Sequence, residues 1–330
     1  SQALRAELES VMDFWLGKGV GGFRLDAVKE FYSGSTGQNV EVLSWVNTHV
    51  KGKTPDAYIV GEAWDGLTTY AQYYASGVDS FFDFEFSGAT GTISKTINYS
   101  GADNSAQAYA KALVRVQNAL REVRADAIDA PFFVNHDMNR AAGYMSYDAR
   151  KVKMAGALNV LMSGSAFVYY GEEIGMTGSG DRDENKRAPM FWSADAGAAG
   201  MTKGPQDMEP QENQFASAEE QMKAKDSIYS FYKDTILLRN QNPEIARGTV
   251  ARLEEVEDQD IAAISKTYDG KTIYMLYNVS ETDEKQVEMS RYGELEVAGY
   301  LSVDGGEVTM KDGTVTLPSY SVAVLTENPQ

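Results

Sequence analysis

Three short segments of the chain run apolar up to a carboxylate: Gly21-Gly22-Phe23-Arg24-Leu25-Asp26, Ile59-Val60-Gly61-Glu62-Ala63-Trp64 and Phe132-Phe133-Val134-Asn135-His136-Asp137. A buried strand adopts that pattern when its last residue must face a cavity. In parallel α/β folds the reactive side chains gather at the C-terminal ends of strands. Two carboxylates and an arginine would then converge with a third carboxylate. Such a group suits cleavage of an acetal: one carboxylate attacks or stabilises an oxocarbenium-like carbon, and a second, protonated, delivers its proton to the leaving oxygen. Arg24 precedes Asp26 by two residues, so in a strand both side chains leave from one face. A guanidinium there favours an ionised aspartate as nucleophile. Glu62, beside the apolar Trp64, is the better placed of the two to serve as the acid. Taken singly, each residue has a plainer reading. A strand-end Asp is about as often only a helix N-cap. With no second histidine or cysteine near it, His136 alone reads as a hydrogen-bonded structural residue, and the other histidine, His49, lies on a predicted helix.

The elements that must hold these segments follow from periodicity. Leu4, Leu8, Val11, Met12 and Trp15 fall at helical spacing and end at Gly17-Lys18-Gly19. Strands are expected over residues 20–25, 57–60, 78–82, 131–134 and 166–170. Between them come helices around residues 40–46, 106–123 and 152–161. Alternation of this kind argues for parallel strands joined by helical crossovers, an α/β sheet or barrel. Residues 171–216, rich in Gly, Asp, Glu and Pro, read as an elaborated loop. A further helix buries Ile228, Phe231, Tyr232 and Ile236 and stops near Asn242-Pro243. Beyond Arg247 the texture turns to short apolar runs with Asp269-Gly270 and Asp304-Gly305 turn signals, which is the pattern of an antiparallel β domain. The expected domains are therefore 1–245 and 246–330.

Composition sets the outer limits. The 330 residues carry 30 basic and 48 acidic side chains, a formal charge of −18. A phosphate backbone or an anionic membrane surface would be repelled, so neither nucleic acid nor membrane is an expected partner. With no cysteine, disulfides, thiolate metal sites and cysteine nucleophiles fall away together. No apolar run approaches the ~20 residues of a spanning helix, and no signal peptide is visible at the N-terminus.

Read in order, the three strand ends (Gly-Phe-Arg-Leu-Asp-Ala-Val-Lys, Gly-Glu-Ala-Trp and Val-Asn-His-Asp-Met-Asn-Arg) closely resemble motifs of the α-amylase family of retaining glycoside hydrolases. Carried over residue by residue, the resemblance implies Asp26 as nucleophile, Glu62 as general acid/base and Asp137 as transition-state stabiliser. It implies substrate-binding places for Arg24, Lys29, Trp64, His136 and Arg140, and an α-glucan or malto-oligosaccharide as substrate. The implied fold is a (β/α)8 barrel followed by an antiparallel β domain. Ala27 and Lys29 look like α-1,4-acting amylases. Residues 170–176 (Tyr-Gly-Glu-Glu-Ile-Gly-Met) and 188–192 (Ala-Pro-Met-Phe-Trp) are instead similar to oligosaccharide-acting members. An oligo-α-1,6-glucosidase, a glucanotransferase and a catalytically silent sugar-binding relative are the rival readings.

The family's first motif and first three strands are not matched, so the expectation is a chain holding strands four to eight. The exposed edges of such a half barrel would call for an N-terminal half or a second copy to cover them. The resemblance makes calcium a possible cofactor of the full-length pattern, met in the family by the backbone carbonyl at the position of Glu30. The acidic loop of Asp181, Asp183, Glu184 and Asn185 reads as solvated, because Lys186 stands where an EF-type calcium loop needs glycine. Extracellular location is the family expectation.

Overall fold

The computed structural model of the chain describes residues 1–102 and 105–327. These form two compact units, Ser1–Glu85 with Val116–Ala130, and Phe86–Arg115 with Pro131–Gln330.

The first unit opens with α1 (Gln2–Gly17), followed by β1 (Gly22–Leu25), α2 (Thr36–Lys53), β2 (Tyr58–Gly61), α3 (Leu67–Tyr73) and β3 (Ser80–Asp83). The chain leaves this unit within β4 (Ala130–Pro131), the last strand of a sheet ordered β1-β2-β3-β4. Pairing is parallel, with Gly22 opposite Tyr58, Arg24 opposite Val60 and Gly61 opposite Phe81. The sheet is buried by helix side chains such as Leu43, Val46 and Val50 of α2 and Tyr70 and Tyr73 of α3. Gly22 is required where it stands: its φ is +152°, and a Cβ there would sit 1.7 Å from the Tyr58 carbonyl oxygen. Between residues 79 and 59 the sheet is tied by Asp79, whose carboxylate accepts the Ile59 N–H (2.8 Å) and pairs with Lys51 (2.9 Å).

The second unit contains α4 (Thr92–Asn98), the Ser105–Arg115 portion of α5 (Ser105–Val123), α6 (Ala141–Tyr144), α7 (Ala149–Val160), the single turn α8 (Asp183–Lys186), α9 (Ala218–Gln221), α10 (Ile228–Gln241) and α11 (Pro243–Arg247). α7 is capped at its start by Asp148, which accepts from the Arg150 and Lys151 N–H groups, and is buried from Val152 to Val160. Carbonyls at and just beyond its C-terminal end, those of Val160, Met162 and Gly164, accept from the Arg239 guanidinium, satisfying acceptors a helix end leaves open. Lys266 adds to this. Fully buried, it donates from Nζ to Leu161 O (2.9 Å) and Ile245 O (2.7 Å), and burial, with Arg239 second, holds its amine well below the usual lysine range.

From Thr249 onward the unit is all-β, as its short apolar runs predict: β5 (Thr249–Arg252), β6 (Ile261–Tyr268), β7 (Lys271–Asn278), β8 (Lys285–Glu288), β9 (Leu295–Ser302), β10 (Thr309–Lys311), β11 (Thr314–Leu317) and β12 (Ser321–Glu327). They form antiparallel sheets ordered β5-β6-β7-β12-β9 and β10-β11-β8, around a core that includes Ile261, Leu276, Val315 and Leu325. The Asp269-Gly270 signal is a two-residue hairpin with φ of +50° and +76°. The expected boundary near residue 245 falls inside α11 of this unit. Hydrogen bonds from Gln107 of α5 to the carbonyls of Val256 (2.7 Å) and Ile261 (2.9 Å) help hold the all-β segment to the helical one.

Two expected strands shrink. At residues 131–134 and 166–170 the pairing is β4 plus one parallel bridge, Phe132 to Phe167, with the Phe167 N–H on Pro131 O at 2.8 Å. The apolar character of the first segment goes to burial of Phe132, Phe133 and Val134 rather than to a ladder, whereas in the second Val168 and Tyr170 stay exposed.

Candidate active site

In the first unit, β1 and β2 end side by side, Leu25 opposite Gly61, and deliver the carboxylates immediately beyond them. The Glu62 N–H donates to Leu25 O and the Val28 N–H to Glu62 O, both at 2.8 Å, so the two strand ends are stitched past the carboxylates. Ala27 takes a left-handed conformation (φ 40°, ψ 49°), unusual for a residue with a Cβ, and its N–H donates to Glu62 Oε2 at 3.3 Å. Strain at that turn sits where the backbone leaves Asp26.

Arg24 joins the pair. Its Nη1 donates to Asp26 Oδ1, and its Nη2 lies 3.0 Å from Glu62 Oε1. The sequence assigns this guanidinium to Asp26 alone; the structure gives it both carboxylates, one on each fork, which is the geometry a lysine does not reproduce. The two acids differ sharply in surroundings, with side-chain exposures of 75% for Asp26 and 9% for Glu62. Lys29 donates to the Trp64 carbonyl at 2.8 Å and approaches Asp65 at 3.6 Å. The Trp64 indole is about half exposed. Arg24, Asp26, Lys29, Glu62 and Trp64 thus lie together in this unit.

The second unit brings His136 and Asp137 together. His136 Nε2 is 3.1 Å from Asp137 Oδ2, and the Asp137 N–H is held by Asn135 Oδ1 at 2.9 Å. Arg187 grips the same aspartate, Nη2 to Oδ1 at 2.6 Å, and donates from Nε to His136 O at 3.2 Å; Lys186 reaches Asp137 O at 3.4 Å. Neither cation is among the residues picked from sequence. The available signal is position: both stand between the acidic loop and the string at residues 188–192, where an acidic cluster read as solvated in fact supplies its neighbours to a carboxylate.

Arg140, expected at a sugar-facing place, is 2% exposed. Its guanidinium donates to Tyr170 O and lies over the rings of Tyr169 and Tyr170, 4.7 and 4.6 Å from their centroids. It fixes the start of the loop at residues 171–175. That turn is enforced by Gly171 (φ +84°), where a Cβ would meet Met176 Sδ at 2.4 Å and Arg140 Nη1 at 2.9 Å. Inside it Glu172 is buried, accepts from the Tyr232 hydroxyl at 2.9 Å, and is pushed up to about 8 by burial, the neighbouring Glu173 adding to the effect.

The acidic loop does not fit a calcium ion. Asp183 is paired with Lys186 (3.0 Å) and Arg187 (3.4 Å), and Asn185 is buried with its amide on Ser179 O and Glu209. Among the described residues no group of three or more His, Asp or Glu side chains is arranged to hold a metal. No helix among them is long and apolar enough to cross a membrane.

Comparison with known proteins gives a match of residues 1–248 to the family model described as Alpha amylase, catalytic domain. Alpha-amylase 3 of Dictyoglomus thermophilum is 31% identical over 282 residues, covering 85% of this chain and 54% of that protein. Alpha-amylase SusG of Bacteroides thetaiotaomicron is 31% identical over 283 residues, covering 81% and 39%. Among solved structures, Eubacterium rectale Amy13B superposes with a TM-score of 0.95 at 44% identity, over 100% of this chain and 64% of that one. The chain spans about half the length of the curated relatives it matches.

Proposed function

This chain belongs to the α-amylase family, and on that premise we propose that it hydrolyses α-1,4-glucosidic bonds of starch or malto-oligosaccharides with retention of configuration. Asp26 attacks the anomeric carbon, the bond to the glycosidic oxygen breaks, and that oxygen takes the proton of Glu62. Water then attacks the same carbon, giving its proton to Glu62 as the bond to Asp26 breaks. Asp137 is assigned the stabilising of the oxocarbenium-like transition state, and His136, Lys29 and Trp64 the binding of sugar. Arg24 holds both reacting carboxylates, and Arg140 acts through the loop it anchors. The observation that supports this reading is the Arg24 fork, which holds the carboxylates of Asp26 and Glu62 together just beyond two adjacent strands.

We assign residues 1–245 to the catalytic domain, built on strands four to eight of a barrel, and 246–330 to the β domain. A polymeric substrate makes extracellular action the consistent location. The test is release of aryl alcohol from a chromogenic maltoside by the 330-residue chain, run beside a polypeptide extended upstream. Turnover by either, with an α-anomeric first product, is the expected result. A β-anomeric product would remove Asp26 as nucleophile, and release from isomaltose in preference to maltotetraose would replace the α-1,4 assignment by an α-1,6 one.

A further inference from the structure

We infer that Phe84 is a positioning residue for Trp64: it fixes the plane of an indole that serves as the stacking platform for a sugar ring beside Glu62. The inference rests on the proposed glucosidase reading and adds to it a residue that neither the strand-end motifs nor their carboxylates bring in.

Register supplies the first argument. β2 and β3 run parallel with Val60 opposite Ser80 and Gly61 opposite Phe81. Trp64 and Phe84 each stand four residues beyond that first pair, so the two strands carry their aromatic residues out to the same height. The rings meet there, stacked with centroids 5.0 Å apart and planes 17° from parallel. Such an offset stack is a favoured aromatic geometry. One face of the indole lies against Phe84 while the residue stays about half exposed, which leaves apolar ring surface beside a buried acid.

Both partners are themselves tied. The Trp64 carbonyl accepts from Lys29, and Lys29 is in turn paired with Asp65. Phe84 follows Asp83, a fully buried carboxyl whose Oδ1 accepts the Glu85 N–H at 2.8 Å and so closes the turn that presents Phe84. An unsupported tryptophan on a loop would sample several rotamers and lose that freedom on binding. Phe84 settles the ring before the sugar arrives, which reduces the ordering cost of association.

The test is a double-mutant cycle in the full 330-residue chain, in a Glu62→Gln background so that maltotetraose is bound and not consumed. Phe84→Ala is expected to weaken maltotetraose binding about fivefold, Phe84→Tyr to restore it, and Phe84→Ala to change nothing further once Trp64→Ala is present. An equal loss with and without Trp64, or no loss at all, overturns the inference. A ligand-free measurement separates it from the glucosidase reading. With 5-fluorotryptophan in the chain, the Trp64 resonance, assigned by its disappearance in Trp64→Phe, should shift and broaden in Phe84→Ala. An unmoved line overturns the positioning role. A moved line in a chain that binds no glucan overturns the sugar platform and the glucosidase reading together while leaving the stack in place. Where Phe84→Ala fails to fold, Phe84→Leu carries the same comparison.

Discussion

Glu62→Gln is expected to cut turnover of maltotetraose by about a thousandfold, in the range that loss of a positioned acid and base costs. The substitution keeps the side chain's shape and one carbonyl oxygen, which can accept from Arg24 Nη2 or from the Ala27 N–H but not from both, since these meet different oxygens of Glu62. What is lost is the proton. A glycosidic oxygen that leaves as an alkoxide needs it, whereas a nitrophenolate does not. The first step on a nitrophenyl maltoside should therefore survive better than the second, in which Glu62 must take a proton from water. The expected trace is a burst of nitrophenolate followed by a slow phase. Asp26→Asn has no such escape and should abolish burst and steady state alike. Starch hydrolysis by Glu62→Gln at the unsubstituted rate would take Glu62 out of the mechanism.

Glu172→Gln should make the protein much less sensitive to alkaline unfolding. The Glu172 carboxyl is pushed up to about 8 from an ordinary 4.5, chiefly by burial. A carboxyl whose folded value is raised binds more protons folded than unfolded across that interval, so stability falls as pH rises. Its contribution is fully present below 4.5 and is lost as pH passes through about 8. At 1.36 kcal/mol per unit the effect is on the order of 5 kcal/mol over the whole interval. Asp83, pushed up to about 6, and Glu173, also raised by burial, act with the same sign, so the wild-type slope is steep and the variant keeps a smaller one. Urea midpoints at pH 5 and pH 8 for both proteins measure this. Equal slopes would show that Glu172 is solvated or paired in solution.

The residues proposed to carry chemistry were legible because each closes an apolar run at a charge. Asp26, Glu62 and Asp137 could be read in that way, and the parallel pairing of β1 with β2 is what the alternating pattern implies. What remained illegible depends on distant partners. Arg187 meets Asp137 across 50 residues of sequence, and Phe84 meets Trp64 across 20, so no local window contains either pair. Arg140 misled for the opposite reason: its motif marks a neighbourhood, and only packing against Tyr169 and Tyr170 reveals that the guanidinium faces inward. The segment at residues 166–170 had strand composition, but one bridge at Phe167 is all the pairing it makes. Composition there reports neither a ladder nor burial, since Val168 and Tyr170 are exposed.

Lys266, enclosed between the Leu161 and Ile245 carbonyls, has a use beyond holding α7. An amine with no solvent access is invisible to acylating reagents while the chain stays native, and becomes an ordinary nucleophile once β6 opens. Graded labelling of this one side chain, read by mass spectrometry against the exposed lysines as internal standard, would turn it into a built-in gauge of how often the all-β segment comes apart.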